Sequence, residues 1–266
     1  MTNNEPHLHV ELYDNTRIDP LTHELECAAW SNGIIAPQPP TVIGRILLSP
    51  DLQEVMQRKL NNTANETEQS DLPPMYMPIG RNWEDRQSPE DFREMTKHDQ
   101  AFSNIILGEE EPVALDAIDL FTYHFRDLVI RDIARVGLDP VHAAKEQIYV
   151  TYGRPTDVDL PGGMVDMHVY RPSKISPDKW YSHYAVTLLG TPAMRFVSGH
   201  TFAQSDLPYV PDALNVPATT FQVGDVVRYS DVTPHNYRAD GEMQLFMQWA
   251  ARYRKSDMGP PRAITQ

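Results

Sequence analysis

The chain of 266 residues has one cysteine, Cys27, and no apolar run of the roughly 18 residues that a membrane-spanning helix needs. A single cysteine excludes an intrachain disulfide and a cysteine-rich zinc module, so any metal must be bound by His, Asp or Glu. The N-terminal segment MTNNEPHLHVELYDN also lacks a charged leader followed by an apolar stretch. We therefore expect a cytoplasmic protein that does not bind membranes.

Positive charge is scarce as well, with 23 Lys and Arg against 37 Asp and Glu and a formal net charge of -14 at pH 7. No basic run offsets this surplus, which argues against binding to nucleic acids or anionic membranes. The expected partner is a small-molecule substrate, and a homodimer is compatible with this composition. Hydrophobic residues make up 41% of the chain, which is enough for a substantial core.

The first part of the chain has mainly helical patterns. Capping residues, first-turn prolines and three- or four-residue apolar spacing predict helices over residues 20–30, 50–60, 88–107 and 112–136. The last of these has the strongest pattern and stops at Gly137. Residues 61–74 are polar and predict a surface loop. We expect residues 1–144 to form a mainly helical region packed on the outside of a C-terminal β domain.

The pattern changes to strand alternation after Asp139-Pro140. Strands are predicted over residues 147–153, 164–170, 183–189, 194–197, 226–229 and 243–253, with Pro, Gly or Asp turns between them. Short strands with no intervening helix are typical of an antiparallel sandwich or barrel, here over residues 145–256 with a tail at 257–266. The stretch from Phe221 to His235 predicts a hairpin with a tight turn at Gly224-Asp225.

Four histidines fall in this β domain: His168, His183, His200 and His235. A metal site in a barrel mouth needs imidazoles, and often a carboxylate, that arrive from different strands. Asp166 and His168 share one face of a predicted strand because they are two residues apart. His183 lies on the next predicted strand and His235 follows Pro234, whereas His200 is expected in a loop.

From residue 149 to residue 252 the chain resembles the double-stranded β-helix superfamily, and within it the Fe(II)/2-oxoglutarate-dependent oxygenases. In that family a His-x-Asp/Glu pair and a distant histidine bind iron. The segment 224–227, Gly-Asp-Val-Val, and the later Pro-His at 234–235 look like the distal half of that motif. The proximal half departs from it, because Tyr170 stands two residues after His168 where the carboxylate is expected.

Three ligand sets remain open. In the preferred one, Asp166 supplies the carboxylate in reversed order, beside His168 and His235. In the second, His183 joins the two other histidines, as in cupins that resemble thiol dioxygenases. In the third, His183 with Ala185 two residues later resembles the halogenases, where a small residue leaves a coordination position for halide. A metal-free binding or structural barrel is the alternative from a different class.

The resemblance implies an α+β fold, a jelly-roll or cupin-like barrel with an N-terminal helical layer, and a mononuclear non-haem Fe(II) oxygenase that hydroxylates or otherwise oxidises a small molecule. It also implies 2-oxoglutarate as co-substrate, whose distal carboxylate an arginine would bind with two hydrogen bonds. The usual position, about ten residues after the distal histidine, has no basic residue. Arg252, Arg238 and Arg195 are the candidates. The alternative enzyme is a three-histidine cupin without 2-oxoglutarate, such as a thiol dioxygenase or isomerase.

Overall fold

The structure is a computed structural model that describes residues 3–5, 8–13, 20–58, 112–135, 149–153, 167–169, 179–190, 194–204, 207, 209–237 and 244–254. All strand pairs in these residues are antiparallel. They form one sheet of seven strands, one of three and one of two. The described part of the chain is therefore mixed α/β, dominated by antiparallel sheet.

The elements have the following bounds. The helices are α1 Pro20–Ser31, α2 over residues 50–58 and α3 Pro112–Arg135, with a short 3-10 helix at Pro211–Asn215. The strands are β1 Asn3–Glu5, β2 Leu8–Leu12, β3 Ile34–Ile35, β4 Thr41–Leu48, β5 Tyr149–Gly153, β6 Lys179–Leu189, β7 Met194–Phe196, β8 Phe202–Ala203, β9 Thr219–Thr220, β10 Asp225–Ser230, β11 His235–Tyr237 and β12 Gln244–Arg254.

The seven-stranded sheet has the order β1-β2-β4-β10-β6-β12-β5. Strands from the beginning of the chain thus continue the sheet that the C-terminal strands build. Sequence patterns predicted no strand at β4, whose alternation is interrupted by Gly44. A side chain at Gly44 would put its Cβ 2.5 Å from the carbonyl oxygen of Glu11 on β2, so close strand approach explains the glycine. The predicted domain boundary at residues 144–145 lies outside the described residues.

The three-stranded sheet has the order β11-β7-β9, and residues 167–169 add to its β11 edge through a bridge between His168 and His235. This small sheet faces the large one, because the ring of Phe196 on β7 lies 4.8 Å from that of Tyr229 on β10. A buried apolar cluster fills the space between the sheets: Ala185, Met194, Phe196, Val227 and Tyr229. The facing sheets enclose the region where His168, His183 and His235 lie.

The chain passes repeatedly from one sheet to the other. In sequence order, β5 lies in the large sheet, residues 167–169 at the edge of the small one, β6 in the large and β7 and β9 in the small. The strand β10 is again in the large sheet, β11 in the small and β12 in the large. Consecutive strands therefore mostly pack across the core and do not pair with each other.

The helix α3 packs on the outer face of the large sheet through a buried polar network. Nη1 of Arg228 donates to both carboxylate oxygens of Asp132, at 2.7 and 2.8 Å, and the hydroxyl of Tyr184 donates to Oδ2 at 2.9 Å. Asp132 is completely buried, and its ion pair with Arg228 compensates the negative charge of its carboxylate. On β10, Arg228 thus faces the helix, while its neighbours Val227 and Tyr229 face the small sheet.

The hairpin predicted around Gly224 is wrong, because β9 and β10 belong to different sheets. Gly224 has a φ of 84°. Its N–H donates to the carbonyl of Thr187 at 2.8 Å, and its own carbonyl accepts from the N–H of Ile46 at 2.9 Å. The turn therefore ties β10 to β6 and β4, and carries the chain across the core.

Other predicted elements agree closely with the structure. The helices predicted to begin at Pro20, Pro50 and Pro112 are confirmed at those residues, and the strands predicted near residues 149, 183, 194, 226 and 244 are confirmed with small shifts. The helix predicted over residues 88–107 lies outside the described residues. In the described part of the chain, no helix is both long and apolar enough to cross a membrane.

Candidate metal centre

His168 and His235 form a reciprocal main-chain pair. The N–H of His168 donates to the carbonyl of His235 at 3.0 Å, and the N–H of His235 donates to that of His168 at 2.9 Å. Residues paired in this way put their side chains on the same face of the sheet. The two imidazole centroids are accordingly 4.4 Å apart, with the ring planes at 52°. The backbone alone brings two of the predicted ligands together.

The tautomer of His235 follows from its contact with Thr233. Nδ1 lies 2.8 Å from the carbonyl oxygen of Thr233, which can only accept a hydrogen bond. Nδ1 therefore carries the proton, and the lone pair of the neutral ring is on Nε2. This is how a protein orients a metal-binding histidine, with one nitrogen fixed by a carbonyl and the other able to coordinate.

The electrostatic environment keeps His235 neutral. Its side chain is completely buried, and burial lowers its pKa well below the ordinary value of 6.5. Proximity to His168 lowers the pKa further, the bond to Thr233 opposes this, and His183 adds a smaller lowering effect. A neutral imidazole is the form that binds a metal ion.

The turn between β10 and β11 positions His235. The N–H of Thr233 donates to the carbonyl of Ser230 at 3.1 Å, and the N–H of Ser230 donates to Oγ1 of Thr233 at 3.2 Å. These reciprocal bonds close a tight turn over residues 230–233. The carbonyl that fixes the His235 tautomer thus comes from a residue whose side chain and backbone are both held.

His183 lies on the inner face of β6, opposite Tyr229 in the register of β10. The His183 and Tyr229 rings stack with centroids 5.4 Å apart, and Tyr229 in turn lies 5.2 Å from the ring of His235. Nε2 of His183 donates to the carboxylate of Asp231. The structure thus brings His183 near the histidine pair, but engages its Nε2 with Asp231.

A second buried carboxyl group, that of Glu26, contacts the turn that precedes His235. Oε1 of Glu26, on α1, accepts hydrogen bonds from the hydroxyl of Ser230 at 2.9 Å and from the N–H of Gln38 at 3.1 Å. Burial raises the pKa of Glu26 from 4.5 to about 7; the two hydrogen bonds oppose this, and the charge of Asp231 adds to it. Glu26 therefore links the first helix to the turn that positions His235.

The remaining predicted site residues are placed as follows. Asp166 and Arg238 lie outside the described residues. Arg195 lies on β7 between the buried residues Met194 and Phe196, so strand alternation points its side chain away from the histidine pair. Arg252 pairs with Tyr181 across β12 and β6, two positions from the partner of His183; its side chain is not among the described ones. His200, predicted in a loop, is an exposed residue outside any strand.

Within the described residues, no three His, Cys, Asp or Glu side chains are arranged to hold a metal ion. What these residues offer is a pair of close imidazoles with one tautomer fixed. Two imidazoles on adjacent strands are compatible with two of the three protein ligands of a two-histidine, one-carboxylate iron site, which takes its carboxylate from a further residue. The donor set thus fits a non-haem metal, provided that the carboxylate comes from outside the described ranges.

Sequence patterns missed several residues that build this centre. Asp231, Thr233 and Glu26 were not singled out, although the Ser-Asp-Val-Thr run at 230–233 is a recognisable turn signal. Nothing local to Glu26 marks it, because its partners are Gln38 and Ser230 in distant segments.

Comparisons with known proteins give weak similarities. No protein-family model matches the chain, and no curated protein does. Solved structures that are similar include AviO1 from Streptomyces viridochromogenes Tue57, with 11% identity over 92% of this chain and 100% of that one and a TM-score of 0.36. A prolyl-4-hydroxylase from Pseudomonas putida has 12% identity over 74% and 95%, with a TM-score of 0.32. The non-haem alpha-ketoglutarate-dependent epimerase SnoN has 16% identity over 88% and 83%, with a TM-score of 0.30. Similarity at this level does not assign a ligand set or an activity to this chain.

Proposed function

We propose that the chain is a mononuclear non-haem Fe(II) oxygenase that oxidises a small molecule on a double-stranded β-helix. The sheet-to-sheet order of the strands supports the barrel, since segments that alternate between two facing antiparallel sheets are the pattern of a jelly roll. The observation that carries the function is the His168–His235 pair, with ring centroids 4.4 Å apart and Nδ1 of His235 fixed by a carbonyl.

In this proposal His168 and His235 bind the metal and Asp166 supplies the carboxylate. Bound Fe(II), with a 2-oxo acid and dioxygen, would supply the oxidising chemistry, such as hydroxylation. The chain's own residues prepare the site. Thr233 holds His235 in the coordinating tautomer, the reciprocal backbone bonds fix the separation of the rings, and Phe196 and Tyr229 exclude water from the inner side.

Binding of 2-oxoglutarate would need a cation for its distal carboxylate. Arg195 is disfavoured for this role because its side chain leaves the opposite face of β7 from Phe196. Arg252 and Arg238 therefore remain the candidates. Of these, Arg252 has the better supported position, because β12 lies directly beside the β6 strand that carries His183.

A three-histidine metal enzyme without 2-oxoglutarate is the second candidate. The observation in its favour is that His183 lies on the inner face and affects the pKa of His235. The hydrogen bond from Nε2 of His183 to Asp231 disfavours this candidate, because the bond would have to break before that nitrogen could coordinate a metal. The two candidates differ in what the loss of His183 does to metal binding.

The test is metal binding by purified, untagged protein, measured by calorimetric titration with Fe(II) under anaerobic conditions and with Co(II). We expect His168→Ala and His235→Ala each to weaken binding by at least about 100-fold, since even partners of metal ligands contribute about 10- to 100-fold. The matched control is His200→Ala, which removes an exposed histidine and should leave the affinity unchanged.

His183→Ala separates the two candidates. Near wild-type affinity in this variant supports the proposed two-histidine site, whereas a loss equal to that of His235→Ala supports the three-histidine enzyme. Equal metal content in the wild type and His235→Ala would overturn both. Release of succinate from 2-oxoglutarate by the iron-loaded wild type then tests the oxygenase class.

A further inference from the structure

The histidine pair belongs to a row of side chains that crosses the small sheet. His168 is bridged on one side to His235 and on the other to Tyr209, and His235 pairs with Phe196 on β7. Directly paired residues of antiparallel strands point to the same face. Tyr209, His168, His235 and Phe196 therefore form one row on the face that is turned toward the large sheet.

The bridge to Tyr209 brings its backbone beside that of His168. The N–H of Val210 donates to the carbonyl of Met167 at 2.7 Å, so the bond joins the residues that flank the pair. Tyr209 and His168 are thus a pair without reciprocal bonds of their own. Side chains approach most closely in this kind of pair, with Cα atoms about 4.5 Å apart. The Cβ atoms of Tyr209 and His168 are therefore neighbours on the same face of the sheet.

The two ends of this row differ in exposure to solvent. Phe196 is 1% exposed and His235 is 0% exposed, His168 is partly buried, and Tyr209 is 38% exposed. The residues of the row that solvent reaches, Tyr209 and in part His168, therefore lie at one end, while His235 and Phe196 lie in the core. A molecule that approaches the metal position meets Tyr209 before it meets His168.

We propose that Tyr209 is the substrate-contacting residue at the mouth of this site and that it recognises the flat, apolar face of an uncharged ring in the substrate. The inference rests on the function proposed above. An exposed tyrosine presents a broad apolar ring at small entropic cost, and rings stack on it with offset or edge-to-face geometry. A ring held on Tyr209 places its neighbouring atoms beside His168 and His235, where oxidation would occur.

The location is tested by ¹⁹F NMR on protein labelled with 3-fluorotyrosine and titrated with Co(II). Tyr209→Phe identifies the Tyr209 signal, Tyr229→Phe that of Tyr229, and Tyr13→Phe that of a tyrosine three strands away from β6. We expect the paramagnetic ion to shift or broaden the Tyr209 and Tyr229 signals and to leave Tyr13 unchanged. A response of Tyr229 without one of Tyr209 overturns the inference and leaves the metal site standing. The absence of any response and of cobalt absorption overturns the proposed function, and the inference with it.

Ring recognition is tested with phenol as the probe, and with 1-hexanol as a ringless probe, titrated into Co(II)-loaded protein. Tyr209→Ala should weaken phenol binding by about threefold to tenfold, while Tyr209→Phe should bind as the wild type does. Affinity for 1-hexanol should be the same in all three. The control Leu214→Ala removes another exposed apolar side chain from the segment between β8 and β9, which also contains Tyr209. It should change the affinity for neither probe. Equal phenol binding by wild type and Tyr209→Ala, an equal loss in Leu214→Ala, or no binding of phenol to the wild type would overturn the proposal.

Discussion

Glu26 shows how a single buried carboxyl can make stability depend on pH. Its pKa is about 7 in the folded chain against 4.5 ordinarily, with burial as the main cause. The folded state therefore holds this proton over a pH range in which the unfolded state has released it. Because the folded state binds more protons, the free energy of unfolding falls as pH rises from about 4.5 to about 7. The loss attributable to Glu26 is about 3 kcal/mol.

Glu26→Gln removes this dependence. The amide keeps an oxygen that can accept from Ser230 and Gln38 but cannot ionise. We expect the variant and the wild type to have similar free energies of unfolding at pH 5, and the variant to be more stable at pH 8 by up to about 3 kcal/mol. Urea denaturation at the two pH values measures this. The control Glu54→Gln replaces an exposed helical carboxyl and should show no such difference. A Glu26→Gln effect of equal size at both pH values would contradict the prediction.

Individual site residues differed in how well the sequence revealed them. The Gly-Asp and Pro-His pattern predicts His235 as a ligand, and the structure places His168 beside it. Their role as metal ligands stays a prediction. Tyr209 could not be found in this way, because its proximity to His168 depends on a bridge between segments about forty residues apart in the sequence. Contacts of this kind are set by register, which no local pattern records.

At the scale of elements, Gly224 is the point on which the start of β10 depends. An added Cβ would lie 2.4 Å from the carbonyl oxygen of Ile46 and 2.6 Å from Cδ2 of Leu47, at a φ of 84°. Both backbone conformation and space therefore require glycine. Any movement here would also disturb the pairing of β10 with β4 and β6.

Gly224→Ala should destabilise the fold by about 3 kcal/mol or more, which combines about 1–2 kcal/mol of backbone strain with about 1–3 kcal/mol of steric overlap. The matched control is Gly33→Ala. Its φ is 75° but no atom lies within 4 Å of the added Cβ, so only the backbone strain applies. Chemical denaturation of both variants measures the difference. Equal losses in the two variants would show that the contact with Ile46 does not matter.

Helices were easier to predict than the short strands. Apolar spacing over the 24 residues of α3 repeats many times, and its bounds were predicted to within one residue of the structure. By contrast, β3, β8 and β9 have two residues each, too few for alternation to appear. The strand β4 is long enough, but Gly44 and a preceding proline-rich segment obscured it.

For the whole molecule, the antiparallel pairing of the strands agreed with the sequence prediction, while the width of the large sheet was not predicted. The change from helical to alternating patterns predicted antiparallel layers, because strands that follow each other closely cannot cross over in parallel. The addition of β4, β2 and β1 beyond β10 was not predictable in this way. It depends on pairing between residues about 180 positions apart, as in Arg45 and Asp225.

The net charge of -14 should make the stability of the whole chain depend on salt. Repulsion among surplus carboxylates opposes compaction, and ions screen it. Raising sodium chloride from about 0.02 to about 0.3 M at pH 8 should raise Tm by about 2–4 °C, which corresponds to about 1 kcal/mol for a chain of this size. Differential scanning calorimetry measures it. Near pH 5, at the sequence pI, the effect should disappear; an equal rise there would point to general salting-out.

Mutation of residues 168 and 235 would change their side chains and leave the backbone hydrogen bonds between them in place. The N–H and C=O groups that join residues 168 and 235 exist in every amino acid except for the missing N–H of proline. Replacing either imidazole would therefore remove a donor atom and leave the two strands aligned. A descendant sequence could exchange one imidazole while inheriting the spacing intact. The paired segments are in this sense a scaffold on which single side chains can be changed while the backbone spacing is kept.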